Sequence, residues 1–339
     1  MIIKLLVLLG FTFLLSISSY AGLPVYRLIK EIPLEHKEGG WDYLSIDSIS
    51  RRIYLTQATR VIVMDIDQYK IVGEISDTPG IHGFSIAAEL GRGFSSNGKE
   101  SKVSIIDLAT LKTLIKVPTG ENPDAILYNS IQKEVYAFNG KDKSVTVIQA
   151  KTGKVEATIN LPGKPEFSAF EAGKNRVLVN IEDKNLVEVI DSISHKAVAE
   201  WSLTPGDEPT GMDIDQKLHR LFIGCHNQVL LMLDTNSGKV IKTVPIGKGV
   251  DAVVYDPGTG MVFSSNGDGT VSIAHENGID SLDLIQTLKT EVGARTMALD
   301  LKTHRIFLLS AKYEKVDAKI EHQRPKIVPG SLKLLVYGY

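Results

Sequence analysis

Short apolar runs alternate with polar turns along most of the chain, and one run–turn–run phrase of 14 residues returns seven times. The copies are WDYLSIDSISRRIY, IHGFSIAAELGRGF, PDAILYNSIQKEVY, PEFSAFEAGKNRVL, PTGMDIDQKLHRLF, VDAVVYDPGTGMVF and ARTMALDLKTHRIF. They start at Trp41, Ile81, Pro123, Pro165, Pro209, Val250 and Ala294, so the period is 40 to 44 residues. Period-two alternation within each run predicts strands. A period near 40 built from short strands predicts a propeller with four strands per blade. In the third copy the pattern places strands at 125–129, 134–138, 144–149 and 155–161. No stretch sustains a helical period. The expected fold is all-β, a single seven-bladed propeller over residues 22–339.

The two ends of the repeat array predict how the ring closes. After Ala294 the pattern yields two strands, a long polar segment, and a third strand near 332–337, but no fourth. A spare alternating strand, 25–32, precedes the first copy. Pairing it as the outer strand of the last blade removes an open sheet edge, which a closed ring cannot leave exposed.

A second phrase closes the blades. Asp65, Asp107, Asp191 and Asp234 each lie five residues before Lys70, Lys112, Lys196 and Lys239, and Gln149 and Lys154 keep that spacing. A turn cap followed by a solvated lysine on an outer strand accounts for this without chemistry.

The first 21 residues stand apart: Lys4, an apolar stretch through Leu15, then Ser19-Tyr20-Ala21. This is the pattern of a cleaved signal peptide with cleavage after Ala21, and the apolar stretch is short for a membrane span. The expected location is therefore periplasmic or secreted, with no membrane attachment after cleavage. The single cysteine, Cys225, ends an apolar strand and reads as a small buried hydrophobe, so stability rests on a core and on closure. With 38 Lys and Arg against 40 Asp and Glu the formal charge is −2, which gives no electrostatic footprint for duplex nucleic acid. A closed ring demands no partner strand, so a monomer is expected.

The repeats resemble those of the YVTN-type, YncE-like propellers exported by bacteria. The resemblance rests on Asp47 through Arg52-Ile53-Tyr54, on strands such as Val103-Ser104-Ile105-Ile106-Asp107, and on the ending Arg324-Pro325-Lys326-Ile327-Val328-Pro329-Gly330-Ser331. It implies the fold and no single chemistry. Blade 2 departs from it with Gly91-Arg92-Gly93-Phe94, and no literal Tyr-Val-Thr-Asn occurs.

Function is expected where the copies disagree. The second position of each phrase holds Asp42, His82, Asp124, Glu166, Thr210, Asp251 and Arg295, at the mouth of the central channel. The turn after the second strand holds Gln57, Asn97, Asn139, Asn180, His226, Asn266 and Ser310, expected on the same face. Convergent carboxylates and amides suit Ca²⁺ or another divalent cation, and with Arg295 and the two histidines they suit a small polar molecule or a protein partner. Like charges this close raise one another's pKa unless a cation offsets them. The segment 311–329 is expected on this face, either as a lid or as part of the closure.

No G-x-S-x-G, CxxC, HExxH or phosphate-binding glycine loop occurs, and Asn266-Gly267-Asp268-Gly269 lacks the distal glutamate of a calcium loop. The leading expectation is a non-catalytic binding or scaffold protein. The alternative is a hydrolase of lactonase type, with Glu166, His82 or His226 activating water and Arg295 holding an anionic group. Single-stranded nucleic acid at the basic residues of 311–329 is a third, weaker reading, opposed by the acidic mouth.

Overall fold

The computed structural model describes residues 22–35, 39–314 and 327–339. The expected signal segment and most of the 311–329 segment lie outside them. The described strands form seven four-stranded antiparallel sheets. In blades 1 to 6 the strand order follows the chain outward from the channel. Blade 3, for example, comprises Pro123–Asn129, Glu134–Asn139, Ser144–Gln149 and Val155–Asn160. Among the described residues the only helical pieces are 3-10 turns of three residues.

Closure follows the sequence expectation. Blade 7 is built from Met297–Asp300, Arg305–Ser310 and Lys333–Gly338, with Arg27–Pro33 paired outside the last of these. Across the seam between blades 1 and 7, Arg51 makes a two-pronged ion pair with Asp300, both contacts at 2.7 Å.

The core lies between blades. Tyr54, Val61, Val63 and Ile75 of blade 1 pack with Ile81, Phe84, Ile106 and Leu108 of blade 2. Blade 2's glycine departure has a steric cause here. A Cβ at Gly93 would collide with the Phe84 ring, which stacks on Tyr54 at a centroid distance of 4.6 Å. The Asp–Lys phrase is structural: Asp65 Oδ1 accepts the N–H groups of Asp67 and Gln68, and Asp107 Oδ1 those of Ala109 and Thr110. Cys225 is buried, and burial pushes its thiol up to about 12.

Candidate functional site at the channel mouth

Six of the seven mouth residues occupy a break in strand pairing. The register of the innermost strand shifts between Trp41 and Leu44, Ile81 and Phe84, Pro123 and Ala125, Pro165 and Ser168, Pro209 and Met212, and Val250 and Ala252. These intervals contain Asp42, His82, Asp124, Glu166, Thr210 and Asp251. A bulge re-aims a side chain and frees its backbone from the ladder. Groups on neighbouring strands then fix the freed backbone: Ser96 Oγ donates to Asp124 O at 3.2 Å, and Asn180 Nδ2 to Thr210 O at 2.5 Å. Blade 7 differs, because its inner strand begins only at Met297. Arg295 therefore lies outside the ladder, and its side chain is 63% exposed.

Three of these residues meet at one point. His82 Nδ1 lies 2.7 Å from Asp42 Oδ2 and 3.0 Å from Asp124 Oδ1, joining blades 1, 2 and 3. Their ligand atoms fall within 4.8 Å of one another, close enough to share a metal ion. Nδ1 can donate only one proton, so it cannot satisfy both carboxylates at once. The imidazole fits because residue 98 is glycine: a Cβ there would lie 2.8 Å from His82 Nε2.

Two further groups complete the rim. Glu166 Oε2 is 3.0 Å from Lys164 Nζ, which also binds Glu182 at 2.5 Å. Asp251 Oδ2 receives Arg295 Nε at 2.8 Å, and Tyr43 Oη donates to Asp251 Oδ1 at 3.2 Å. Lys164, Glu182 and Tyr43 were not among the residues expected from sequence. Lys164 could have been suspected as a cation two positions before Glu166.

The charges are incompletely balanced. Burial and then the charge of Asp124 push Glu166 up to about 7 against the pull of Lys164. Burial also lifts Asp251 to about 6, with Arg295 working against it and Asp42 with it. Asp124 is raised by burial, which the His82 charge opposes. For His82, burial is the largest influence and lowers the pKa, but the Asp42 hydrogen bond and the Asp124 charge outweigh it and leave the ring raised.

The turn positions behave otherwise. Asn97, Asn139, Asn180 and Asn266 are fully buried. Asn97 donates to Ser104, Asn139 to Ser144 and Thr146, and Asn266 to Thr270 and Ser272. Gln57 is buried too and accepts from Arg60, while Ser310 donates to Glu291. These amides brace hairpins or neighbouring backbone from buried positions, while Asn139, Asn180 and Asn266 each keep an Oδ1 without a hydrogen-bond partner among the described residues. Thr210 is likewise turned inward, donating to Val250 O at 3.2 Å. His226 sits at the rim, 3.1 Å from Glu208.

Rings from blades 1 and 4 meet below the mouth. Tyr43 and Phe167 are three blades apart, yet their centroids are 5.0 Å apart, so they bridge the channel. At the seam between blades 7 and 1, Tyr313 stacks on Trp41 at 6.1 Å. A bridge from Tyr313 to Ile327 ties together the base of the 311–329 segment.

Comparison with known proteins agrees with this architecture. No protein-family model matches the chain. It is 28% identical over 151 residues to the uncharacterized protein YncE of Salmonella typhi, covering 43% of this chain and 42% of that protein. YncE of Salmonella typhimurium strain LT2 matches with the same identity and coverage. The chain is a distant likeness of YncE. It spans about two fifths of the length of the curated relatives it matches. Among solved structures, Kuenenia stuttgartiensis hydrazine synthase superposes with a TM-score of 0.72 at 12% identity, covering 81% of this chain and 94% of that one. A chain of the mitotic checkpoint complex gives 0.71 at 11% identity, covering 91% and 95%. At such identities the superpositions concern the fold alone.

Proposed function

We propose that the protein is an exported binding or scaffold propeller of the YVTN type, without catalysis of its own, that holds a cation or a cationic polar ligand at its channel mouth. The observation that carries this reading is the convergence of Asp42, His82 and Asp124 on one point. Three ligand atoms from three blades, with Glu166 and Asp251 beside them, attract positive charge, because the single Nδ1 proton cannot satisfy both carboxylates. The histidine shifts the expected ion from Ca²⁺, which prefers oxygen donors, towards Zn²⁺ or Mn²⁺. Export rests on the Met1–Ala21 pattern, and N-terminal sequencing of the mature protein should begin at Gly22.

Elemental analysis of protein purified without chelator tests the cation. One equivalent of a divalent metal, lost in Asp124→Asn, is expected; metal-free protein that gains none on titration would sink this reading. The hydrolase alternative is favoured by one feature, the lifting of Glu166 to about 7, near the optimum for a general base. Turnover across aliphatic and aromatic lactones, abolished by Glu166→Gln, would put the enzyme in front, and a flat panel would remove it.

A further inference from the structure

The Tyr43–Phe167 bridge divides the channel, and a second chamber lies below it. This cavity, of about 630 Å³, lies along the inner strands, with Gln216, Lys217, Pro257 and Leu301 at the face opposite the mouth. Its volume falls within the range of about 300–1,000 Å³ typical of sites that enclose drug-sized molecules. The wall is largely apolar, with Leu127, Phe167, Met212, Val254 and Leu299 contributed by five different blades. Such a chamber favours an apolar body, because each buried apolar group leaves water.

Asp213 interrupts that wall. Ile214 N–H donates to its Oδ1 at 2.8 Å and Tyr255 N–H to its Oδ2 at 2.7 Å, so the carboxylate is held rigidly by two backbone amides from two blades. Each oxygen keeps a further lone pair. Among the described residues Asp213 forms no ion pair. Asp215, the other acid lining the chamber, is occupied differently: its Oδ2 accepts Tyr255 Oη and its Oδ1 accepts Lys217 N–H. No cation among the described residues pairs with this fixed carboxylate, and burial raises its pKa to about 6 against the two backbone N–H groups that lower it.

We infer that the lower chamber is a second binding site, distinct from the mouth, for a small apolar molecule carrying one protonated amine. The apolar body lies against Leu127, Met212, Val254 and Leu299, and the ammonium donates to Asp213. The ligand enters from the face opposite the mouth, since the Tyr43–Phe167 bridge closes the upper end. Neither the mouth chemistry nor a metal is required, so this site stands or falls independently of the proposed function.

Calorimetric titration with 2-(2-naphthyl)ethylamine and with the matched neutral alcohol, 2-(2-naphthyl)ethanol, tests the inference. The amine is expected to bind about 10- to 100-fold more tightly than the alcohol, as a charge-assisted hydrogen bond implies. Asp213→Asn should bring the two affinities together. Leu127→Trp fills the chamber from the blade 3 wall, and should weaken both ligands at least about tenfold through lost volume. Failure of the amine to bind, equal affinities in the native protein, or an amine preference that survives Asp213→Asn would each overturn the proposal. Should Asp213→Asn fail to fold, unchanged binding in Leu127→Trp would overturn it alone.

Discussion

Asp300 and Glu171 on one face of the disc, and Glu166, Asp124 and Asp251 at the mouth on the other, are carboxylates shifted in opposite directions. On the face away from the mouth, Asp300 is buried against Arg51 and accepts Thr303 Oγ1 at 2.6 Å. Glu171 is buried there with Arg176, Lys174, His219 and Thr235 around it. In both cases burial works to raise the pKa, and the surrounding donors overcome it and leave the carboxyl below its ordinary range. At the mouth the donors are too few, and Glu166, Asp124 and Asp251 stay raised. A buried carboxylate with a full set of donors holds blades together. One left short of donors is disfavoured in its charged form, and shifted groups of that kind are enriched at functional sites.

The largest effect is expected from removing a donor to a buried carboxylate between blades. Arg51→Ala strands Asp300 in a buried position at the closure seam and should cost about 3–5 kcal/mol in denaturant unfolding. A loss within experimental error would mean that the seam is held by strand pairing alone.

The mouth should respond in the opposite sense. Glu166 keeps in the folded state a proton that the unfolded chain releases near pH 4.5, so its penalty is absent below that pH and grows as pH rises towards about 7. Glu166→Gln should therefore stabilise the metal-free protein by about 1–3 kcal/mol at pH 8 and by almost nothing at pH 4.5. A destabilised variant at pH 8 would place Glu166 with the structural carboxylates. For Glu171 and Asp300 the sign reverses. Their folded pKa values are lowered, so their contribution is complete above the ordinary carboxylate range and is lost as pH falls through the lowered values.

The smallest effect belongs to Arg295. Its side chain is mostly exposed, so Arg295→Ala should change stability by less than about 1 kcal/mol. It should nonetheless move the titration of Asp251 upward, measurable by carboxyl NMR, because Arg295 is the main influence lowering it. No movement would detach Arg295 from the site.

Much of this was legible in the residues, for physical reasons. A strand repeat cannot bury its face alone, so the periodicity carries the fold and even the borrowed outer strand 27–33. The positions that break the repeat, Asp42, His82, Asp124, Glu166, Asp251 and Arg295, are those the structure gathers at or beside the mouth. The burial of the asparagines is not legible in the repeat, because a polar residue at a strand end can turn inward. The clue was a Ser or Thr further along, as at Asn139 with Ser144 and Thr146. Nothing in the alternation could reveal the Tyr43–Phe167 contact or Asp213's isolation, since both depend on the ring bringing distant blades together.

Asp42, His82 and Asp124 are the proposed cation site. Thermal unfolding of chelator-treated protein, followed across a Zn²⁺ and Mn²⁺ titration, tests it most directly. Native protein should gain stability with ion concentration, by about 2.7 kcal/mol at a hundred times the Kd, while Asp124→Asn should gain nothing. An unmoved native Tm, or an equal gain in Asp124→Asn, would contradict it.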